Sequence, residues 1–130
     1  MPLQSSLTYF AARGDVEAVR AHLDGPLLTP AERSADRPAR NGLTPLGAAC
    51  ARGHVECASL LLDAGANVNL SDTHGNTPLH SAAIYGEVGC AKLLLSRGAD
   101  YRLPDMNSSS ALCVACTAGH HEFAEVLLRA

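Results

Sequence analysis

The stretch GNTPLHSAAIYGEVGCAKLLLSRGAD, from Gly75 to Asp100, decides how the rest of the chain is interpreted, because its main features recur at a fixed distance. The triplet Thr-Pro-Leu at 77–79 follows an identical triplet at 44–46 by 33 residues. The run Leu-Leu-Leu at 93–95 follows an identical run at 60–62 by the same distance. A constant period of this length indicates a repeated structural unit.

The period extends to both ends of the chain. Gly53, Gly86 and Gly119 are spaced by 33 residues, and the N-terminal stretch LTYFAARGDVEAVRAHL matches the same pattern at a distance of 39. Six additional residues therefore separate the first unit from the second. The sequence predicts one domain over residues 1–130, with units at about 5–26, 41–73, 74–106 and 107–130, the last incomplete, and an inserted loop at 24–40.

Each unit is predicted to form two short antiparallel helices. Thr44 has the hydroxyl of an N-cap, and Pro45 suits the first helical position, where its missing N–H has no use. The first helix then ends at Gly53, which can adopt the left-handed conformation. A second helix is predicted over about 55–64, and its buried residues are expected to be Val55, Ala58, Leu61 and Leu62. Helices this short are unstable alone, so stacking of units must stabilise them.

Composition is typical of a small protein with one core. The chain has 130 residues, 47% of them hydrophobic, and a net charge of -3, which gives no electrostatic reason to expect a nucleic acid or a membrane as partner. No apolar run reaches membrane-spanning length, and the N-terminus lacks the pattern of a signal peptide. Five cysteines are an odd number, so we expect a reducing compartment, the cytoplasm or the nucleus.

With its Gly-x-Thr-Pro-Leu-His-x-Ala-Ala opening, its leucine run and its Gly-Ala-Asp close, the stretch 75–100 resembles the ankyrin repeat. The resemblance implies an all-α solenoid of helix-turn-helix units with hairpin-like turns between them. Three features depart from the pattern. Gly47 replaces the histidine found at His80, Ser110 and Ala111 replace Thr-Pro in the fourth unit, and the first unit lacks the Thr-Pro turn.

Ankyrin proteins are non-enzymatic scaffolds that bind other proteins through hairpin tips and the concave face of the first helices. The resemblance therefore implies a monomer with one protein partner, no catalytic residue, no cofactor, no metal, and neither nucleic acid nor membrane as ligand. The predicted contact residues at tips and first helices are Tyr85, Ile84, Arg52, His74, Asp72, Thr73, Asn76, Ser81, Arg40 and Met106. Ile84 and Tyr85 form the expected anchor, because aromatic residues are enriched in binding hot spots. Ala48 is a further first-helix position expected to be exposed.

A different class of function, a redox or zinc protein, would use Cys113 and Cys116, which have Cys-x-x-Cys spacing, together with His120 and His121. No second cysteine pair follows, and zinc needs four ligands. Cys116 is in register with buried positions, so both cysteines are interpreted as core residues.

His120 and His80 are also interpreted as structural residues and not as metal ligands or catalytic groups. His120 is in register with His54 and Glu87, which are interpreted as exposed residues at the start of second helices. By the ankyrin resemblance, His80 hydrogen-bonds the loop backbone between units.

The segment 24–40 contains three prolines and charges of both signs. Thr29 and Glu32 have the spacing of a capping box, which would start one helical turn. A solvated loop is equally compatible with the sequence of this segment. Arg33, Arg37 and Arg40 form a basic cluster, but acidic residues lie between them, which argues against phosphate binding.

Two narrower functions are compatible with an ankyrin scaffold. The size resembles that of the small ankyrin inhibitors of cyclin-dependent kinases. Alternatively, Ala130 falls one residue before the expected glycine, as in a fragment of a larger ankyrin protein, and cysteines at Cys57 and Cys90 resemble those of substrate-recruiting adaptors with a SOCS box.

Overall fold

The computed structural model describes residues 7–24 and 42–130, and over these ranges the chain forms eight α-helices and no β-strand. The helices are α1 (Leu7–Arg13), α2 (Val16–Leu23), α3 (Pro45–Ala51), α4 (Val55–Asp63), α5 (Pro78–Tyr85), α6 (Val88–Ser96), α7 (Ala111–Ala118) and α8 (His121–Leu128). The capping box predicted at Thr29 and Glu32 and the basic cluster that includes Arg40 lie outside the described residues.

The helices form four pairs stacked in chain order. Within each pair the two helices pack against each other across a short connection. Between pairs, α1, α3, α5 and α7 contact one another in sequence, and so do α2, α4, α6 and α8. We call these the first-helix row and the second-helix row. The arrangement confirms the prediction of an all-α stack, and it explains how helices of seven to nine residues persist, because each buries its apolar side against its neighbours.

Hydroxyl residues determine where the first helices begin. The Thr44 hydroxyl accepts a hydrogen bond from the N–H of Gly47 at 3.0 Å, as predicted for an N-cap. Ser110 does the same for α7, accepting from the N–H of Cys113 at 3.3 Å. Its backbone angles, φ -79° and ψ 165°, nearly equal those of Thr77, φ -75° and ψ 167°. Replacement of Thr-Pro in the fourth unit therefore leaves the turn unchanged.

Gly86 ends α5 in the left-handed conformation, with φ 70°. An imidazole from the next pair covers it, since a Cβ placed on Gly86 would lie 2.7 Å from Nδ1 of His120. The same imidazole lies 3.1 Å from the carbonyl oxygen of Ile84 through Nε2, which must donate because a carbonyl only accepts. Glycine is required here both for its backbone conformation and for the close approach of His120.

The equivalent residues of the earlier pairs are also half-buried. His54 lies 3.1 Å from the carbonyl oxygen of Ala12 through Nε2, and the Glu87 carboxylate packs against Gly53. The interpretation of His54, Glu87 and His120 as exposed residues was therefore wrong. These side chains join neighbouring pairs because each first helix ends with a glycine that leaves room for them.

The core consists of leucines and small residues between the two rows. Cys57, Cys90 and Phe123 are in register and fully buried, so this position takes an apolar group. Val55, which was expected to be buried, is instead 39% exposed. Its neighbour in the next pair is Gly89, which has no side chain to cover it.

Candidate functional site

The first candidate surface is the hairpin tip at 72–76, between the second and third pairs. The Asp72 carboxylate accepts hydrogen bonds from the N–H groups of His74 and Asn76 at 2.8 and 3.0 Å. The N–H of Asp72 in turn donates to the carbonyl of Asn76 at 2.9 Å. Asp72 and Asn76 are half-buried, whereas Thr73 and His74 are exposed. Of the four predicted contact residues in this tip, Asp72 and Asn76 stabilise the backbone turn, whereas Thr73 and His74 are accessible to a partner.

The next tip, at 105–109, repeats this geometry. The Asp105 carboxylate accepts from the N–H groups of Asn107 at 2.8 Å and Ser109 at 2.9 Å. These hydrogen bonds, that from Ser109 foremost, stabilise the charged form and lower the pKa of Asp105 below its usual value. Met106, at the end of the tip, is 71% exposed. A large apolar side chain is thus presented on a fixed backbone.

The two tips contact each other. The N–H of Met106 donates to the carbonyl of His74 at 3.3 Å, and Gly75 packs so closely on Met106 that a Cβ would lie 2.8 Å from its backbone nitrogen. The structure therefore brings together two of the predicted contact residues, His74 and Met106, that are far apart in sequence.

His80 sits beneath the tips and is buried. Its Nδ1 lies 3.3 Å from the backbone nitrogen of Thr77, which donates, and 2.9 Å from the hydroxyl of Thr77. Its Nε2 lies 2.8 Å from the carbonyl oxygen of Ser109 and donates to it. His80 thus links α5 to the next tip, which confirms the structural role that the ankyrin resemblance implies.

The first-helix row carries a series of equivalent exposed residues. Arg13, Arg52, Tyr85 and Ala118 occupy the same position in the four successive pairs and are all exposed. Ile84, which precedes Tyr85, is also exposed. The first-helix row is therefore basic at its α1–α3 end and apolar at its α5–α7 end.

At the basic end, Arg13 is oriented by an aromatic ring. Its Nη1 donates to the hydroxyl of Tyr9 at 2.9 Å, and its guanidinium carbon lies 5.3 Å from the centre of that ring. A cation held over the face of a tyrosine gains an electrostatic attraction and loses rotational freedom. These contacts with Tyr9 favour one orientation of Arg13 at the surface.

Two residues expected at this surface are buried. Ala48 is 2% and Ser81 is 6% exposed, so the expectation that they are accessible to a partner was wrong. A Cβ placed on Gly47 would lie 3.7 Å from the hydroxyl oxygen of Ser81. The small residues of α3 and α5 allow the two helices to approach closely, and this approach covers both positions.

A shallow groove of about 300 Å³ lies at the apolar end of the first-helix row. It is lined by Ile84 and by residues of the 105–109 tip and of α7, among them Asp105, Cys113, Val114 and Thr117. Cys113 is the groove residue that sequence reasoning placed elsewhere, in the core. The signal that could have found it is its position in α7, which no further helix pair covers within the described ranges.

The five cysteines are free thiols and fall into two groups. Cys50, Cys57 and Cys90 are buried, whereas Cys113 and Cys116 are exposed. The interpretation of the Cys-x-x-Cys pair as core residues was therefore wrong. The pair was assigned to the core because it is in register with buried residues of earlier units. The burial of those residues depends on the helix pair that follows them, and no further pair follows α7–α8 within the described ranges.

Cys50 and Cys90 interact across the boundary between two pairs. A hydrogen bond between the two thiols, together with burial, raises the pKa of Cys50 well above the usual value for a thiol. Burial likewise raises the pKa of Cys57. A thiol held in its protonated form is a poor nucleophile, so Cys50 and Cys57 are expected to be chemically inert.

Across residues 7–24 and 42–130, no cluster of three or more His, Cys, Asp or Glu side chains could hold a metal ion. No helix in the same ranges is both long and apolar enough to cross a membrane.

A comparison with protein families found that a family model of ankyrin repeats, in three copies, matches residues 7–105. A search of curated proteins found no match. The matched region spans more than half of the chain and includes α1 to α6, the tip at 72–76 and Asp105, the first residue of the next tip. The repeated pairs, the capping residues and the bridging His80 agree with that match, and the chain belongs to the ankyrin repeat family.

Proposed function

We propose that this chain binds a partner protein as a monomeric, non-enzymatic scaffold, using the first-helix row and the hairpin tips. Ankyrin repeats are generally protein-protein interaction modules, and this supports the proposal at the level of the family. The observation that carries it for this chain is the exposed series Arg13, Arg52 and Tyr85, with Ile84 beside it. Arginine and tyrosine are the residue types most enriched in binding hot spots.

The charges of the row indicate the chemistry of the partner. Neither Asp nor Glu occurs in α1, α3, α5 or α7, although the whole chain has a net charge of -3. A partner segment with carboxylates near Arg13 and Arg52, and with an apolar side chain near Ile84 and Tyr85, would match both ends of the row. Complementary charge favours correct orientation and fast association. The odd number of cysteines, which argues against a secreted disulfide framework, supports our placement of the chain in the cytoplasm or nucleus.

The test begins with affinity capture from cell extract and mass spectrometry to identify a partner, which is then purified. The double variant Arg52→Ala with Tyr85→Ala should weaken binding by about 2 kcal/mol, roughly thirtyfold in Kd. Raising the salt concentration should weaken the wild type more than the double variant, because a charged contact is screened. Binding is measured by calorimetry, and folding of each variant by circular dichroism.

The matched control is the double variant Glu56→Ala with Lys92→Ala, two exposed residues of the second-helix row. It should bind like the wild type. If only this control loses affinity, the partner binds the opposite row and the proposal is wrong. If neither double variant loses affinity, the first-helix row does not bind the partner and the proposal is wrong. A variant lacking residues 25–40 would then test that segment.

A further inference from the structure

Cys113 and Cys116 differ from the other thiols of the chain in their exposure. Cys50, Cys57 and Cys90 each have a relative exposure of 0%, whereas both residues of the Cys113–Cys116 pair are exposed. Cys116 occupies the position of Cys50 and Ala83 in earlier units, and both of those are fully buried. Reagents in solution can therefore reach two thiols out of five without unfolding the chain.

The two exposed thiols lie on one side of α7. Residues three apart on a helix are neighbours, with Cβ atoms about 5–6 Å apart. A disulfide needs Cβ atoms about 3.5–4.5 Å apart, so a bridge requires the helix to adjust by roughly 1–2 Å. Within the described part of the chain, α7 contacts α5 and α8 and has no neighbour on its other side. An adjustment there disturbs fewer contacts than it would in α3 or α5.

Zinc binding is less well supported than disulfide formation at this pair. A structural zinc ion needs four ligands. Over the described ranges, no group of three or more potential ligands is close enough to hold a metal. Two neighbouring thiols without further ligands are suited to exchange with a disulfide.

We propose that Cys113 and Cys116 form a vicinal dithiol site that exchanges with small-molecule disulfides such as glutathione disulfide. One protein thiol loses its proton and attacks a sulfur of the small disulfide; a mixed disulfide forms, and the released small thiolate takes up a proton. The second protein thiol then loses its proton and attacks the protein sulfur of the mixed disulfide. The Cys113–Cys116 bond forms, and the second small thiol leaves. Two electrons pass from the protein to the small disulfide, which becomes two thiols.

The site borders the surface proposed for partner binding, because Cys113 lines the groove beside Ile84 and Val114. The reduced and oxidised forms thus present different surfaces in that groove. Any effect on a partner rests on the proposed function, whereas the exchange reaction is measured on the chain alone. Failure of one therefore does not imply failure of the other.

The test incubates the purified chain with glutathione buffers of increasing oxidised fraction, followed by rapid alkylation and mass spectrometry of the intact protein and its peptides. The expected product has lost two alkylatable thiols, both at the Cys113–Cys116 pair, and carries no glutathione. Cys50, Cys57 and Cys90 serve as internal controls and should become alkylatable only in denaturant. Reduction by dithiothreitol should restore both exposed thiols.

Three variants separate the steps of the reaction. Cys113→Ser and Cys116→Ser should each stop at a single glutathione adduct on the remaining thiol, and the double variant should not react. Circular dichroism and the protection of Cys50, Cys57 and Cys90 from native alkylation confirm that each variant is folded. The proposal is overturned if the wild type stays reduced in fully oxidised glutathione, if it accumulates two adducts, if disulfide-linked dimers form instead, or if the buried cysteines oxidise equally.

Discussion

The α5–α6 pair and the α7–α8 pair have equivalent residues in different surroundings. The α5–α6 pair packs between two neighbouring pairs, whereas α7–α8 contacts only α5–α6 within the described part of the chain. Ala83 is fully buried, and Cys116, which follows it by 33 residues, is exposed. His120 covers Gly86, whereas nothing lies within 4 Å of a Cβ placed on Gly119.

This difference shows that the burial of a residue in a stacked fold depends on the contact between neighbouring pairs. The pair that contains the residue determines its burial only in part. Leu79 is 1% exposed and lies on α5, which contacts both α3 and α7. Leu112, at the same position of α7, is only partly buried. Stability in repeat proteins is approximately the sum of unit terms and boundary terms, so equivalent substitutions should have unequal effects.

The largest expected difference concerns this leucine position. Leu79→Ala should lower the free energy of unfolding by about 2–5 kcal/mol, because it leaves a cavity in a fully packed core. Leu112→Ala should cost clearly less, since a partly exposed side chain removes less apolar area from water. Urea unfolding followed by circular dichroism measures both. Equal losses would mean that α7 is covered in solution as completely as α5.

A smaller difference is expected at the next position. His80→Ala should lower the free energy of unfolding by about 1–3 kcal/mol, because the Ser109 carbonyl and the N–H of Thr77 lose their partner. Cys113→Ala, the equivalent change in α7, removes an exposed side chain and should stay within about 0.5 kcal/mol. The same unfolding experiment applies. If His80→Ala were as mild as Cys113→Ala, the bridge between pairs would contribute nothing measurable.

The smallest expected effect is the pH dependence of the 105–109 tip. Because hydrogen bonds lower the pKa of Asp105 in the folded state, the stability they confer is complete above its usual value of 3.8. It declines as the pH falls through that value and is lost below the folded-state pKa. The difference in unfolding free energy between the wild type and Asp105→Asn should therefore shrink from neutral pH to about pH 3.

The control for the pH experiment is Glu125→Gln, which removes one charge from an exposed site of α8. It corrects for the general effect of charge on the unfolding free energy. A difference for Asp105→Asn that stays constant with pH, after this correction, would contradict the assigned hydrogen bonds.

Much of the fold could be predicted from the sequence, because local chemistry determines it. The hydroxyl of Thr44 and the ring of Pro45 specify a helix start regardless of what surrounds them, and the structure has that start in place. Ser110 without a proline gives the same turn, since the hydroxyl and the hydrogen bonds of Asp105 are sufficient.

The candidate surface was less predictable. The exposure of Tyr85, Ile84 and Met106 agrees with the expectation, whereas Ser81 is covered by the close approach of two helices. A sequence period states which residues are equivalent, but it does not state how closely neighbouring helices pack. The groove beside Ile84 also combines residues from two units, and no single unit contains that information.

The sequence by itself determined the repeat period, the helix starts and the left-handed glycines, because each depends on a residue and its near neighbours. Only the tertiary structure decided the exposure of Cys113 and Cys116, the burial of Ser81 and the bonds from His54 and His120 to the preceding pair. The physical reason is that these properties depend on the presence and distance of a neighbouring helix pair. Equivalent positions acquire different surroundings where such a pair is absent from the described stack.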